Sequence, residues 1–228
     1  MDYILLEKSA LFRGLTAAEI EKLLGTVYCT LQSYGREETV FMAMEEAALT
    51  GVVLTGRIQA RKLFPHGSQV DVSVLEPGDL LAPAAAFTQS RRYPCELVAM
   101  EPTEALLLRR EELLRLFKAD VRLAENYLCE LASAAYALQQ RLELFSYSGI
   151  AQKAAYYLLT RSQQTGKTTI PIPESVTRWA LMMNVSRPSL HRELKKLEAQ
   201  GLIGYKPPFI EILDAAGLQA LLNTGKGR

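Results

Sequence analysis

The chain has 228 residues, 49% of them hydrophobic and 22% charged, with a formal charge of +1. That length and apolar fraction suit one or two domains with a sizeable core and exclude a disordered chain. No uninterrupted apolar run reaches the roughly 18 residues that would span a bilayer, and the opening MDYILLEKSALF lacks the basic start and long apolar stretch of a secretory signal. A cytoplasmic protein with no membrane partner is expected. Cys29, Cys95 and Cys129 are odd in number and widely spaced, with no C-x-x-C pair, so neither a disulfide framework nor a zinc or iron–sulfur site is indicated. The small net charge hides an asymmetry. Residues 1–146 carry 15 Lys+Arg against 20 Asp+Glu, a balance of −5, while residues 147–228 carry 11 against 5, a balance of +6. A basic segment beside an acidic remainder points to a polyanionic partner for that segment alone.

In chain order, Thr16-Ala-Ala-Glu19 has capping-box spacing and starts a helix. Short β-type runs follow: Val27–Leu31, Thr39–Met42, Gly51–Leu63, Val70–Leu75, Cys95–Met100 and Ala105–Leu108. Turn signals separate or interrupt them at Thr55-Gly56, Pro65-His66-Gly67, Glu76-Pro77-Gly78 and Glu101-Pro102. Short strands at this spacing predict a barrel or double-sheet jelly roll. Within it, PGDLLAPAAAFTQSRRYPCELVA (77–99) has the layout of a ligand cassette: a Pro-Gly turn, a short apolar segment, a loop and a strand. Few of its side chains are able to hold a polar ligand.

Residues 119–145 change pattern. Val121, Ala124, Leu128, Leu131, Ala135, Leu138, Leu142 and Phe145 alternate steps of three and four, an a/d seam on a helix about 40 Å long. Half of such a stripe is able to pack on its own barrel; the pattern favours a parallel seam with a second copy. Ser146-Tyr-Ser-Gly149 breaks the helix and offers a hinge, and Ile150–Gln163 is a further amphipathic helix. Residues 173–203 then show two helical segments split by Met183-Asn184-Val185. Ser186 caps the second and Pro188 suits its first turn. Leu190, Leu194 and Leu197 form the stripe to be buried, which leaves Arg187, Ser189, His191, Arg192, Lys195 and Lys196 toward solvent. A recognition helix is composed in this way, with N-terminal side chains for base edges and Lys or Arg for phosphates. Strands Leu202–Tyr205 and Phe209–Leu213 make a wing, with Lys206 at its tip beside a phosphate. An ordinary basic surface helix is the plainer alternative, disfavoured because capping, stripe and downstream strands agree.

With these residues in place, the chain resembles the cyclic-AMP receptor and fumarate–nitrate regulator (CRP/FNR) family of bacterial transcription regulators over nearly all its length. The resemblance rests on Leu11-Phe12, Leu15 with Glu19, Gly51 with Gly56, Pro77-Gly78-Asp79, and above all Val185-Ser-Arg-Pro-Ser-Leu-His-Arg-Glu-Leu194 followed by Glu198, Gly201, Leu202 and Ile203. It implies an α+β chain: a jelly-roll effector barrel (1–118), a dimerisation helix (119–146) and a winged helix-turn-helix (147–228). It further implies a homodimer on a two-fold-related double-stranded operator, with RNA polymerase as a further partner. By position, Arg187 and Arg192 become the base and phosphate readers, with Ser186 and Ser189 supporting.

Two departures qualify the resemblance. Pro188 stands where the cyclic-AMP receptor has a cytosine-reading Glu, so a different operator is expected. In the cassette, cyclic-AMP binders show Gly-Glu-Leu and then Arg-Ser/Thr-Ala, whereas this chain has Ala82-Pro83-Ala84 and Tyr93-Pro94-Cys95. Both charged anchors are missing, so cyclic AMP is not the expected ligand, although Arg92 lies one residue from the arginine position. The expected effector is small and apolar or aromatic, in a pocket of Leu80, Leu81, Ala82, Pro83, Ala84, Ala85, Arg92, Tyr93, Pro94 and Cys95 facing Tyr127 and Leu131. A cassette that binds nothing, and a sensing dimer that acts through protein contacts alone, are the alternatives. No cofactor is expected. His66 in a turn and His191 in the recognition helix do not suit haem ligation, and one barrel histidine does not make a cupin metal site. Thr165-Gly-Lys-Thr-Thr169 has Arg161 where a phosphate loop needs Gly, with no strand before it, so no enzyme is expected.

Overall fold

The computed structural model describes residues 3–64 and 68–223. The turn signal at Pro65-His66-Gly67, and with it His66, lies outside the described residues. Contacts divide the chain into two compact units, Met1–Ala134 and Ala135–Arg228.

The first unit opens with helices α1 (Tyr3–Glu7) and α2 (Ala17–Leu24). The capping box forms: the Thr16 hydroxyl accepts from the Glu19 N–H, and the Glu19 carboxylate accepts from the Thr16 N–H at 2.8 Å. Eight strands follow: β1 (Cys29–Tyr34), β2 (Thr39–Phe41), β3 (Leu49–Thr55), β4 (Ile58–Leu63), β5 (Gln69–Leu75), β6 (Leu80–Leu81), β7 (Glu96–Ala99) and β8 (Thr103–Arg109). They form two antiparallel sheets, ordered β1-β8-β3-β6 and β2-β7-β4-β5, as the jelly-roll expectation requires. Helices α3 (Arg110–Ala119) and α4 (Val121–Ser146) complete the run.

Side-chain alternation explains how the layers stack. On β3, Val52 and Leu54 join a cluster with Leu6, Phe12, Ile20, Leu113, Leu116, Leu123 and Tyr127 from the helices. Val53, between them, joins Ile58, Leu81, Leu97 and Leu107. Strand β8 alternates likewise, Leu106 and Leu108 toward the helices, Ala105 and Leu107 toward the other sheet. Strand β3, buried on both faces, reads as a continuous apolar run, and the expected run 51–63 divides at Gly56 into β3 and the alternating, half-buried β4. The hairpin turns at Gly56, φ +76°, where a Cβ would meet the Thr103 hydroxyl and the Pro102 carbonyl. Gly51 lets β3 approach β8, since a Cβ there would collide with the Leu106 carbonyl.

Helix α4 presents two apolar faces. Leu123 and Tyr127 are buried in the core between the helices and the sheet and Leu131 packs against it, whereas Val121, Leu128, Leu138 and Leu142 are exposed by about 60% each. Of the expected seam, Ala124 and Leu131 are half-buried, while Ala135 and Phe145 are exposed. Arg122 ties the start of α4 down, donating to Asp120 at 2.7 Å, Glu19 at 2.8 Å and the Gly14 carbonyl at 3.1 Å. The Thr16 N–H first, then Arg122, hold the Glu19 carboxyl down to about 2.

The second unit holds the rest of α4, then α5 (Ile150–Thr165), β9 (Thr169–Pro171), α6 (Val176–Met182), α7 (Arg187–Ala199), β10 (Ile203–Lys206), β11 (Phe209–Ile212) and α8 (Ala215–Asn223). The wing is a three-stranded sheet, β10-β11-β9. Its core gathers Ala154, Leu158, Trp179, Met183, Leu190, Leu194, Leu197, Ile203, Ile210 and Leu218. The break at Ser146–Gly149 is pinned from both sides. Ser146 bonds back to the Glu143 carbonyl at 2.7 Å, and the Tyr156 hydroxyl of α5 donates to the Glu143 carboxylate at 2.5 Å. Burial first, then Glu143, push the Tyr156 hydroxyl up to about 12.

Candidate functional site

Helix α7 starts because Ser186, extended at φ −73° and ψ 144°, accepts from the Ser189 N–H at 3.2 Å while Pro188 occupies the first turn. The Ser186 hydroxyl also donates to the Ser189 hydroxyl at 2.8 Å, so both serines are engaged in the cap. Leu190, Leu194 and Leu197 are fully buried; each such side chain contributes about 1.5–3 kcal/mol. That burial turns Arg187, His191, Arg192, Lys195 and Lys196 outward, and all five are exposed.

The outward residues differ in how free they are. Lys195 donates to Glu198 at 2.8 Å and lies 5.3 Å from the Tyr205 ring centroid; Lys196 donates to Glu193 at 2.6 Å. Lys195 and the Tyr205 backbone N–H hold the Glu198 carboxyl below its ordinary range. His191 Nδ1 lies 3.2 Å from the Tyr205 hydroxyl, rings edge to face, so it braces α7 against the wing. Arg187 and Arg192 form no ion pair with the described residues. Of the five outward residues of α7, these two are the cations at liberty to meet a ligand. Lys206 is exposed where β10 and β11 pair through Lys206 and Phe209, around a turn whose Pro207–Pro208 bond is cis. The α6–α7 corner is braced by Lys153, which donates to the Met183 carbonyl at 3.0 Å. Sequence reading missed Lys153 and Tyr205, and placed Glu193 and Glu198 in the motif without their ion pairs. The i,i+3 spacing of Glu193–Lys196 and Lys195–Glu198 carried a legible signal for two of these pairings.

In the cassette, the Pro-Gly-Asp frame is firmly set. Asp79 accepts from the Glu76 N–H at 2.8 Å, Gly78 donates to Val53 and Val53 to Asp79, and Gly78 takes φ +98°. Leu80 and Leu81 pair with β3 and are buried. Ala82 takes φ +45°, and Pro83 and Ala84 lead into a 3-10 turn at Ala85–Phe87. The expected effector residues divide between two cores: Leu80, Tyr127 and Leu131 belong to the helix side, and Leu81, Ala82, Ala85, Tyr93 and Cys95 to the space between the sheets. Tyr93 stacks on Phe41, centroids 4.3 Å apart, and its hydroxyl donates to the Leu49 carbonyl at 2.8 Å and accepts from the Leu49 N–H. The Tyr127 hydroxyl donates to the Pro83 carbonyl at 2.6 Å. Burial raises both phenols, Tyr127 to about 12, and pushes the Cys95 thiol up as well. Pro94 is exposed, and Arg92 donates to the Met44 carbonyl at 2.6 Å. Among the described residues no helix is long and apolar enough to cross a membrane, and no three His, Cys, Asp or Glu side chains gather as a metal set.

A double-sheet domain bearing a Pro-Gly-Asp cassette, followed by a winged helix-turn-helix with a basic outward face, defines a class of two-domain regulators. Residues 31–120 match the cyclic nucleotide-binding domain family and residues 152–221 the Crp-like helix-turn-helix domain family. The chain is 25% identical over 213 residues to the cyclic AMP receptor protein of Thermus thermophilus, covering 93% of this chain and 96% of that one. The crystal structure of the Thermus thermophilus catabolite activator protein superposes with a TM-score of 0.56 at 25% identity, over 94% of this chain and 99% of that one. The structure of OCPA-complexed CprK, a cysteine-to-serine variant, shares the fold with a TM-score of 0.61 at 18% identity, over 89% and 93%. The chain is a transcription regulator of the CRP/FNR family, with a helix-turn-helix DNA-binding domain.

Proposed function

We propose that this regulator acts as a homodimer on a two-fold-related operator, and that a small effector other than a cyclic nucleotide, held in the N-terminal barrel, sets its DNA affinity. The observation that carries the DNA reading is α7 itself: Arg187 and Arg192 stand exposed, without an ion pair among the described residues, on a helix whose leucine stripe is fully buried. Arg187, in the first turn, suits a bidentate guanine contact; Arg192, Lys195, Lys196 and Lys206 suit phosphates. The exposed apolar positions of α4 at heptad spacing support pairing with a second copy. In the DNA-competent state the two recognition helices sit about 34 Å apart. The cytoplasm is the matching location, and RNA polymerase the matching further partner.

The effector reading is supported by Pro83 and Tyr93, which remove the carboxylate and guanidinium that hold cyclic AMP. A second reading, in which the cassette is core and binds nothing, is favoured by the Tyr93 and Tyr127 hydroxyls, both bonded internally. Gel mobility shift on the chain's own promoter, with light scattering for mass, tests the first part: a retarded band and a dimer are expected, and a monomer with no shift contradicts it. Thermal-shift screening against metabolites separates the cassette readings. A saturable shift with cyclic AMP overturns both, and no shift with any metabolite leaves the second.

A further inference from the structure

A cleft of about 180 Å³ is lined by Glu46, Ala47 and Ala48, by Ala86 and Arg91 of the cassette, and by Arg109, Arg110 and Glu111. Three arginines, Arg91, Arg109 and Arg110, line it, and none of its charged side chains is in an ion pair with the described residues. Arg110 is the informative one. Its Nε is buried with no hydrogen-bond acceptor among the described residues. A cationic donor removed from water without an acceptor is costly, and such groups call for a partner. The guanidinium is also oriented, its carbon 5.3 Å from the Phe87 ring centroid.

The backbone adds to this arrangement. Helix α3 begins at Arg110, and its N-cap, Arg109, makes no side-chain capping bond. Arg110 and Glu111, the first two residues of α3, line the same cleft, and a helix N-terminus without a side-chain cap favours an anion. We propose that the cleft is a binding site for a small oxyanion, the carboxylate or phosphate group of a metabolite, with Arg110 as its principal ligand and Arg91 and Arg109 at the mouth. At about 30 Å³ per water the space suits roughly six small atoms, the size of phosphate or of a short dicarboxylate. Glu46 and Glu111 line the same cleft and lower its positive charge, so binding rests on the arginine contacts. Phe87 links the site to the dimer helix: its ring meets Tyr127 edge-on at 5.7 Å, and Tyr127 is bonded to Pro83. An anion drawn to Arg110 acts on Phe87, and through it on α4 and the cassette.

The test uses the full chain, followed by calorimetric titration and thermal shift with sodium phosphate and with sodium malonate, against sodium chloride at matched ionic strength. Saturable binding of phosphate alone assigns a phosphoryl group, and of malonate alone a carboxylate; both support the site. Arg110→Met keeps the side chain over Phe87 and is expected to weaken binding about tenfold or more; should it not fold, Arg91→Gln, at an exposed position, is expected to weaken it to a lesser degree. Arg187→Ala, which tests the DNA reading, is expected to leave anion binding unchanged, so the two ideas fail separately. No saturation beyond chloride, or equal affinity in wild type and both cleft variants, overturns the proposal.

Discussion

Arg187 on α7 and Tyr93 in the cassette show two uses of a polar side chain on one chain. Arg187 is exposed and has no ion-pair partner among the described residues, while Tyr93 is buried, stacked on Phe41 and bonded through its hydroxyl to Leu49. The recognition helix spends its leucines on the core and keeps its cations for a partner. In the cassette, positions that hold charged anchors in cyclic-AMP binders carry groups whose bonds close within the protein. In the proposed reading, the first surface serves a polyanion and the second lacks the charged contacts that the resemblance assigns to cyclic-AMP binders.

That contrast is open to attack by substitution. The largest expected effect is on the support of α7: Leu194→Ala costs about 2–5 kcal/mol in chemical denaturation, because a buried methyl cluster is replaced by a cavity. Next, Arg187→Ala weakens operator binding by about 1–3 kcal/mol in a fluorescence titration and leaves thermal stability unchanged. Tyr93→Phe does the reverse. It lowers stability by about 0.5–1.5 kcal/mol and leaves effector-free operator affinity intact, since its hydroxyl serves Leu49 alone. The smallest effect falls on Lys196, already paired with Glu193. Lys196→Gln weakens binding about equally on all sequences and reduces the slope of log affinity against log salt by about one.

Locally encoded features were legible. The Ser186 cap, Pro188 and the 190/194/197 stripe lie within a dozen residues, and the observed α7 follows them. The two sheets and the long helix were likewise readable from alternation, turns and heptads. The missing pieces depend on distant partners. Strand β6 has two residues and β9 three, and each exists because a neighbouring strand supplies its bonds. Helix α3 has its own apolar stripe but was absorbed into the barrel. In the cassette, the apolar residues were expected around one pocket, but Leu80 and Leu81, adjacent on a strand, point into different cores. The Arg110 cleft was invisible, because Arg91 and Arg110 meet only in the folded barrel.

The central claim, that α7 reads base sequence, is tested most directly by measuring wild type and Arg187→Ala on an operator and on versions altered at one base pair at a time. The account predicts that the variant loses affinity for the parent site and no longer discriminates at one symmetric pair of positions. Equal losses on every sequence would contradict it, and would reassign Arg187 to the phosphate backbone.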